Sequence, residues 1–88
     1  MLTLNYAILR LFLHHDELDA DAVMTALGGD YGRSRQFRRA AIVESLMTAE
    51  VNGLLEEASV SLGADQQLVI TYRATESGRA MIGRFVGA

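Results

Sequence analysis

The sequence predicts one α+β domain, mostly helical, over residues 1–88, with the element order helix, helix, helix, strand, strand, helix. Apolar residues recur at helical spacing up to Gly53, and the period then changes to the two-residue alternation of strands. Half of the residues are hydrophobic and 22% are charged, so the chain can bury enough apolar surface to offset the entropy lost on folding. A chain of 88 residues has room for one core and one domain.

The first helix is predicted over residues 3–14 and is apolar on most sides, so we expect it to be buried. Its apolar run contains Asn5 and Arg10 and spans only about a dozen residues, short of the ~20 that a membrane span needs. No small-residue cleavage site follows the run, which argues against a signal peptide. The chain also has no cysteine. These features predict a protein of the reducing cytoplasm that does not associate with membranes.

Two further helices are predicted before the strands. The second is expected to be capped by Asp19 or Asp21 and to run through Leu27, where Gly28 stops it in the left-handed conformation. A turn of about six residues follows, longer than the 3–4 of a standard helix-turn-helix. The third and longest helix is predicted over residues 34–50, since this stretch has no glycine and a strong helical pattern.

Beyond the third helix the pattern predicts a β-hairpin and a closing helix. Residues 57–62 and 68–73 alternate between apolar and polar side chains, and residues 63–67 form the loop between them. Thr75 is expected to cap the last helix. The apolar stripe of that helix consists of Met81, Ile82, Phe85 and Val86.

Two segments that flank the hairpin resemble winged-helix regulators of the MarR and PadR type. The sequence GLLEE at residues 53–57 precedes the hairpin, and YRATESGRAMI at residues 72–82 follows it. The resemblance implies a winged-helix fold in which the third helix enters the major groove of DNA and the hairpin is the wing. This chain departs from the pattern at the wing tip, residues 63–67, which has no basic residue for contact with DNA.

The net charge of −3 conceals a basic segment at the start of the third predicted helix. Residues 33–39 contain four arginines, whereas the segments on either side are acidic. Cations at a helix N-terminus oppose the helix dipole, and a bound polyanion such as duplex DNA would account for them. We expect Arg35, Gln36 and Arg38 to contact base edges, Arg33 and Arg39 to contact phosphates, and Ser34 to contact either.

A second interpretation of the same arginines stays open. They can pair with the acidic residues just upstream, among them Asp21 and Asp30, on a solvated or protein-binding face. The sequence is therefore consistent with a small DNA-binding transcriptional regulator, and alternatively with a winged-helix module that binds other proteins.

No pattern predicts an enzyme, a cofactor site or a metal site. His14 and His15 are adjacent, so their side chains diverge on a helix instead of converging on a metal ion. The apolar surface is more informative, because the third helix carries a second stripe at Ala40, Val43, Met47 and Val51 and the first helix is apolar all round. We expect a homodimer that buries part of this surface, with the first and last helices as its interface.

Overall fold

The computed structural model describes residues 2–87, and within this range the elements follow the predicted order. The helices are α1 (Leu4–Leu11), α2 (Ala20–Tyr31), α3 (Arg39–Val51) and α4 (Glu76–Phe85), and the strands are β1 (Leu55–Leu62) and β2 (Leu68–Ala74). The α+β fold class is confirmed. Among the described residues no helix combines the length and the apolar character that crossing a bilayer requires.

One hydrophobic core joins the first three helices and the hairpin. Phe12, Val23 and Ile42 come from the first three helical segments and are completely buried. Leu55 of β1 and Tyr72 of β2 belong to the same core, and Ile82 of α4 is buried as well. No polar or charged residue among those described is fully buried, and the core is therefore held by apolar packing.

The first helix is shorter than predicted. It begins after Thr3, whose hydroxyl accepts a hydrogen bond from the amide of Tyr6, and it ends at Leu11. The amides of the next three residues bond to carbonyls three positions back, so the chain continues as a tighter turn up to His14. This turn brings Phe12 into the core.

The sequence prediction for the end of α2 was wrong. Asp19 caps the helix as expected, by accepting a hydrogen bond from Ala22, but α2 continues through Gly28 and Gly29 to Tyr31. The half-buried Tyr31 packs against the core and its hydroxyl donates to the carbonyl of Leu2. This anchoring of the last helical residue outweighs the low helix propensity of the two glycines.

The predicted start of α3 was also wrong, since the helix begins at Arg39 and not at residue 34. The hydroxyl of Ser34 accepts a hydrogen bond from the amide of Gln36, and the amide of Phe37 donates to the carbonyl of Ser34. Phe37 is half-buried against the core and fixes this turn to the body of the fold. Tertiary packing and local hydrogen bonds therefore replace the first turn of the predicted helix.

Helix α3 ends in a Schellman motif. Gly53 has a φ of +80°, its amide bonds to the carbonyl of Glu50, and the amide of Leu54 bonds to the carbonyl of Ala49. This motif turns the chain into β1 and explains why the GLLEE segment begins with glycine.

The strands form an antiparallel hairpin with Leu62 opposite Leu68, and a bulge interrupts the pairing between Glu57 and Ser59. Before α2, Leu18 exchanges two backbone hydrogen bonds of 2.9 Å with Tyr72. This isolated antiparallel bridge attaches the segment before α2 to the edge of β2. The predicted hairpin and its loop at residues 63–67 are confirmed.

The two segments that resemble MarR and PadR proteins meet in space. The hydroxyl of Thr75 donates to the carbonyl of Gly53 at 2.7 Å and accepts from the amide of Gly78 at 2.8 Å, capping α4. A β-carbon at Gly78 would overlap the carbonyl group of Leu54, so only glycine allows α4 to approach the α3–β1 connection this closely. Both motifs thus serve to join α3, the hairpin and α4.

Candidate nucleic-acid interface

The basic residues of the sequence lie in the connection between α2 and α3. We call residues 32–38 the basic turn, because they contain Arg33, Arg35 and Arg38. All three arginines are exposed, while the half-buried Phe37 anchors the turn. The turn is therefore a fixed platform that directs three cations away from the core.

The acidic residues upstream neutralise only the last of the four arginines. Arg39, the first residue of α3, pairs with Asp21 of α2 at 3.0 Å, and both side chains are largely exposed. Within residues 2–87, Arg33, Arg35 and Arg38 have no carboxylate within ion-pair distance. The basic turn thus keeps its positive charge.

The N-terminus of α3 has no acidic residue of its own. Arg38 occupies the N-cap position and makes no side-chain capping hydrogen bond, and the first turn of α3 contains no acidic residue. Free helix N–H groups and their partial positive charge add to the field of the arginines. This combination favours phosphate or another anion.

The outward side of α3 has a different character. Ile42, Leu46 and Ala49 face the core, so the opposite side of the helix is free. This side, which we call the α3 face, is mostly apolar, with Met47 50% and Val51 86% exposed. The α3 face consists of Ala40, Val43, Glu44, Met47, Thr48 and Val51, which line one shallow open groove. It contains no cation.

Two carboxyl groups meet where α3 turns into β1. The partial burial of Glu50 raises the pKa of its carboxyl group, and the negative charge of Glu57 together with a hydrogen bond between the two side chains raises this pKa further. The neighbouring Tyr72 is buried, and its hydroxyl pKa is raised first by that burial and then by the charges of Glu50 and Glu57. This end of α3 is acidic, in contrast to the basic turn at the other end.

The wing offers no cation at its tip. Residues 63–67 contain Asp65 and no arginine. The hairpin also exposes three large apolar side chains, namely Val60, Leu62 and Leu68. Arg73 lies at the base of the hairpin and pairs with Glu56 at 2.8 Å.

The six residues expected from the sequence to contact DNA lie close together in the chain, but only Arg39 is on α3. The prediction that Arg35, Gln36 and Arg38 belong to the third helix was therefore wrong, because they precede it. Ser34 has a structural role, since its hydroxyl holds the turn. The sequence analysis found the residues of the α3 face only as the second apolar stripe of the third helix. It could not predict that this stripe is exposed, because the exposure depends on where α3 packs.

Comparison with known proteins identifies the fold. The chain is similar in structure to PadR of Bacillus subtilis, whose crystal structure was determined in complex with operator DNA. The match has a TM-score of 0.73 and 19% sequence identity, and it covers 94% of this chain and 46% of that one. This chain thus spans just under half the length of the PadR chain. No family model matches the sequence, and no curated protein matches it.

The structural match agrees with the element order, the hairpin and the joined GLLEE and YRATESG segments. The resemblance to PadR-type winged helices is therefore confirmed at the level of the fold. By its architecture, this chain has a winged-helix fold similar to that of PadR.

Proposed function

We propose that this domain binds duplex DNA as a transcriptional regulator and that the basic turn carries the main contacts to the phosphate backbone. The observation that carries the proposal is a set of three exposed arginines beside an uncapped helix N-terminus, none of which has a carboxylate within ion-pair distance among residues 2–87. The similar PadR structure, which contains operator DNA, supports the same class of function. Arg33, Arg35 and Arg38 contact phosphates, and Gln36, at the rim of the cleft between α1 and α3, lies nearest to the base edges.

The test compares DNA binding by the parent protein and by a variant with Arg33, Arg35 and Arg38 changed to alanine. A fluorescence anisotropy titration with duplex DNA at low salt should show affinity reduced on the order of 100-fold in the variant. Arg79→Ala is the matched control, because Arg79 is an exposed arginine on α4, and it should bind like the parent. Equal affinity of the triple variant and the parent would refute this role of the basic turn.

A second candidate function, docking of another protein, is favoured by the α3 face. In a winged helix the outward side of α3 is the side that enters the major groove, and here it contains Met47, Val51 and Glu44 instead of cations. A protein that binds only other proteins would show no DNA affinity at low salt. The anisotropy titration therefore distinguishes the two candidates.

We also propose a homodimer through α1 and α4. Tyr6 of α1 and Met81 and Phe85 of α4 are exposed, and Phe85 is 67% exposed with the guanidinium of Arg84 5.2 Å from its ring centroid. The two helices contact each other, so a second copy can cover both. Light scattering at tens of micromolar should report self-association that Met81→Ser with Phe85→Ser weakens. A monomeric parent would refute this interface.

A further inference from the structure

We propose that the α3 face is a second self-association surface, on which two copies of the chain pair with their α3 helices antiparallel. The pairing surface has an apolar centre and ends of opposite charge. It goes beyond the DNA-binding function, since it needs no nucleic acid, and it is separate from the α1–α4 interface proposed above.

The apolar centre of the surface is formed by Met47 and Val51 together with Ala40 and Val43. Met47 and Val51 contribute little to the fold of their own copy, because they are exposed and Ile42, Leu46 and Ala49 supply the inward side of α3. Val43 is half-buried and packs partly against the core. A contiguous strip of exposed apolar side chains along one helix is stabilised when a second surface covers it.

The two ends of the strip carry charges that their own copy does not neutralise. At one end stand the arginines of the basic turn. At the other end Glu50 and Glu57 lie side by side, and among residues 2–87 no arginine is within ion-pair distance of either. The helix between the ends has 13 residues, which corresponds to about 20 Å.

This charge order selects a second copy as the partner. An antiparallel pair related by a two-fold axis near the middle of α3 sets the basic turn of each copy beside Glu50 and Glu57 of the other. The contact between a basic turn and a pair of glutamates then occurs twice in one interface. A uniformly basic partner would match the acidic end and be repelled by the basic turn, and a uniformly acidic partner would do the reverse.

The test uses charge reversal in a parent that carries Met81→Ser and Phe85→Ser, so that the α1–α4 surface does not contribute. One variant adds Arg35→Glu and Arg38→Glu, and the other adds Glu50→Lys and Glu57→Lys. In either variant alone, self-pairing sets like charges against each other at both ends. When the two variants are mixed, every contact becomes attractive again.

Sedimentation equilibrium should show that the parent with Met81→Ser and Phe85→Ser associates and that each charge-reversal variant alone has an association constant at least about tenfold lower. The mixture of the two variants should have an association constant within about threefold of that parent's. A monomeric parent, or a mixture no tighter than the separate variants, would overturn the proposal and leave the α3 face to solvent or to another protein. Unchanged association of the single variants would overturn it as well.

Met47→Ser with Val51→Ser provides an independent check, since both residues are exposed and the variant should keep the parent's unfolding temperature. It should weaken association, whereas Val60→Ser on the wing should not. The Glu50→Lys, Glu57→Lys variant keeps the basic turn, so DNA binding by this variant tests the proposed function separately from the pairing.

Discussion

At the residue scale, a few side chains explain why the motif segments have their sequence. The hydroxyl of Thr75 bonds to the carbonyl of Gly53, and Gly78 packs closely against the carbonyl of Leu54. The motif residues shared with winged-helix regulators therefore join α3, the hairpin and α4. None of these residues belongs to the basic turn. The motifs therefore predicted the fold correctly and contained no information about the DNA contacts.

Gly78→Ala should destabilise the fold by roughly 1–3 kcal/mol, because the added methyl group overlaps the backbone of Leu54, which cannot move independently. Gly83→Ala on the same helix is the matched control, since a β-carbon there meets no atom within 4 Å, and it should stabilise the fold by roughly 0.5–1 kcal/mol. Urea denaturation measures both. Two variants with equal stability would contradict the close approach at Gly78.

Glu50→Gln should make the domain more stable at neutral pH. Burial and the charge of Glu57 raise the pKa of Glu50 in the folded state above its ordinary value of 4.5, so the folded state holds the proton more tightly than the unfolded chain. Stability should consequently decline as the pH rises from 4.5 through the raised pKa. Thermal unfolding between pH 4 and 7 should show this decline in the parent and less of it in the variant. A variant less stable than the parent at pH 7 would show that the charged carboxylate is stabilising.

At the element scale, the sequence predicted which elements exist better than where they begin. Caps at Thr3, Asp19 and Thr75 depend on local hydrogen bonds, and those at Asp19 and Thr75 could be predicted. The boundary between α2 and α3 was misplaced because Tyr31 and Phe37 set it through contacts distant in sequence. Glycine near a helix end is a local signal, and here the tertiary contacts outweigh it.

Gly28→Ala and Gly29→Ala provide a direct test of the α2 boundary. Both glycines lie within the helix, and a β-carbon at either position meets nothing within 4 Å. Each substitution should therefore raise the free energy of unfolding by roughly 0.5–1 kcal/mol through helix propensity. If Gly28 instead ended the helix in the left-handed conformation, alanine at that position would destabilise the fold. Chemical denaturation distinguishes the two outcomes by the sign of the change.

At the scale of the whole molecule, charge is separated between the two ends of α3. The basic turn lies at one end of α3, Glu50 and Glu57 lie at the other, and the apolar α3 face runs between them. The sequence revealed the cluster of four arginines. It could not reveal that Asp21 would neutralise only Arg39 or that the second apolar stripe would remain exposed, because both depend on the packing of α3 against α2 and the core.

The central claim, that the basic turn binds the phosphate backbone, is tested most directly by the salt dependence of duplex DNA binding. With three phosphate contacts for each chain, the logarithm of the binding constant should fall against the logarithm of salt concentration with a slope of about −2.7 per chain, or about −5 for a dimer. Changing Arg33, Arg35 and Arg38 to alanine should remove most of that slope. A parent that does not bind at low salt, or a slope that survives the triple substitution, would contradict the claim.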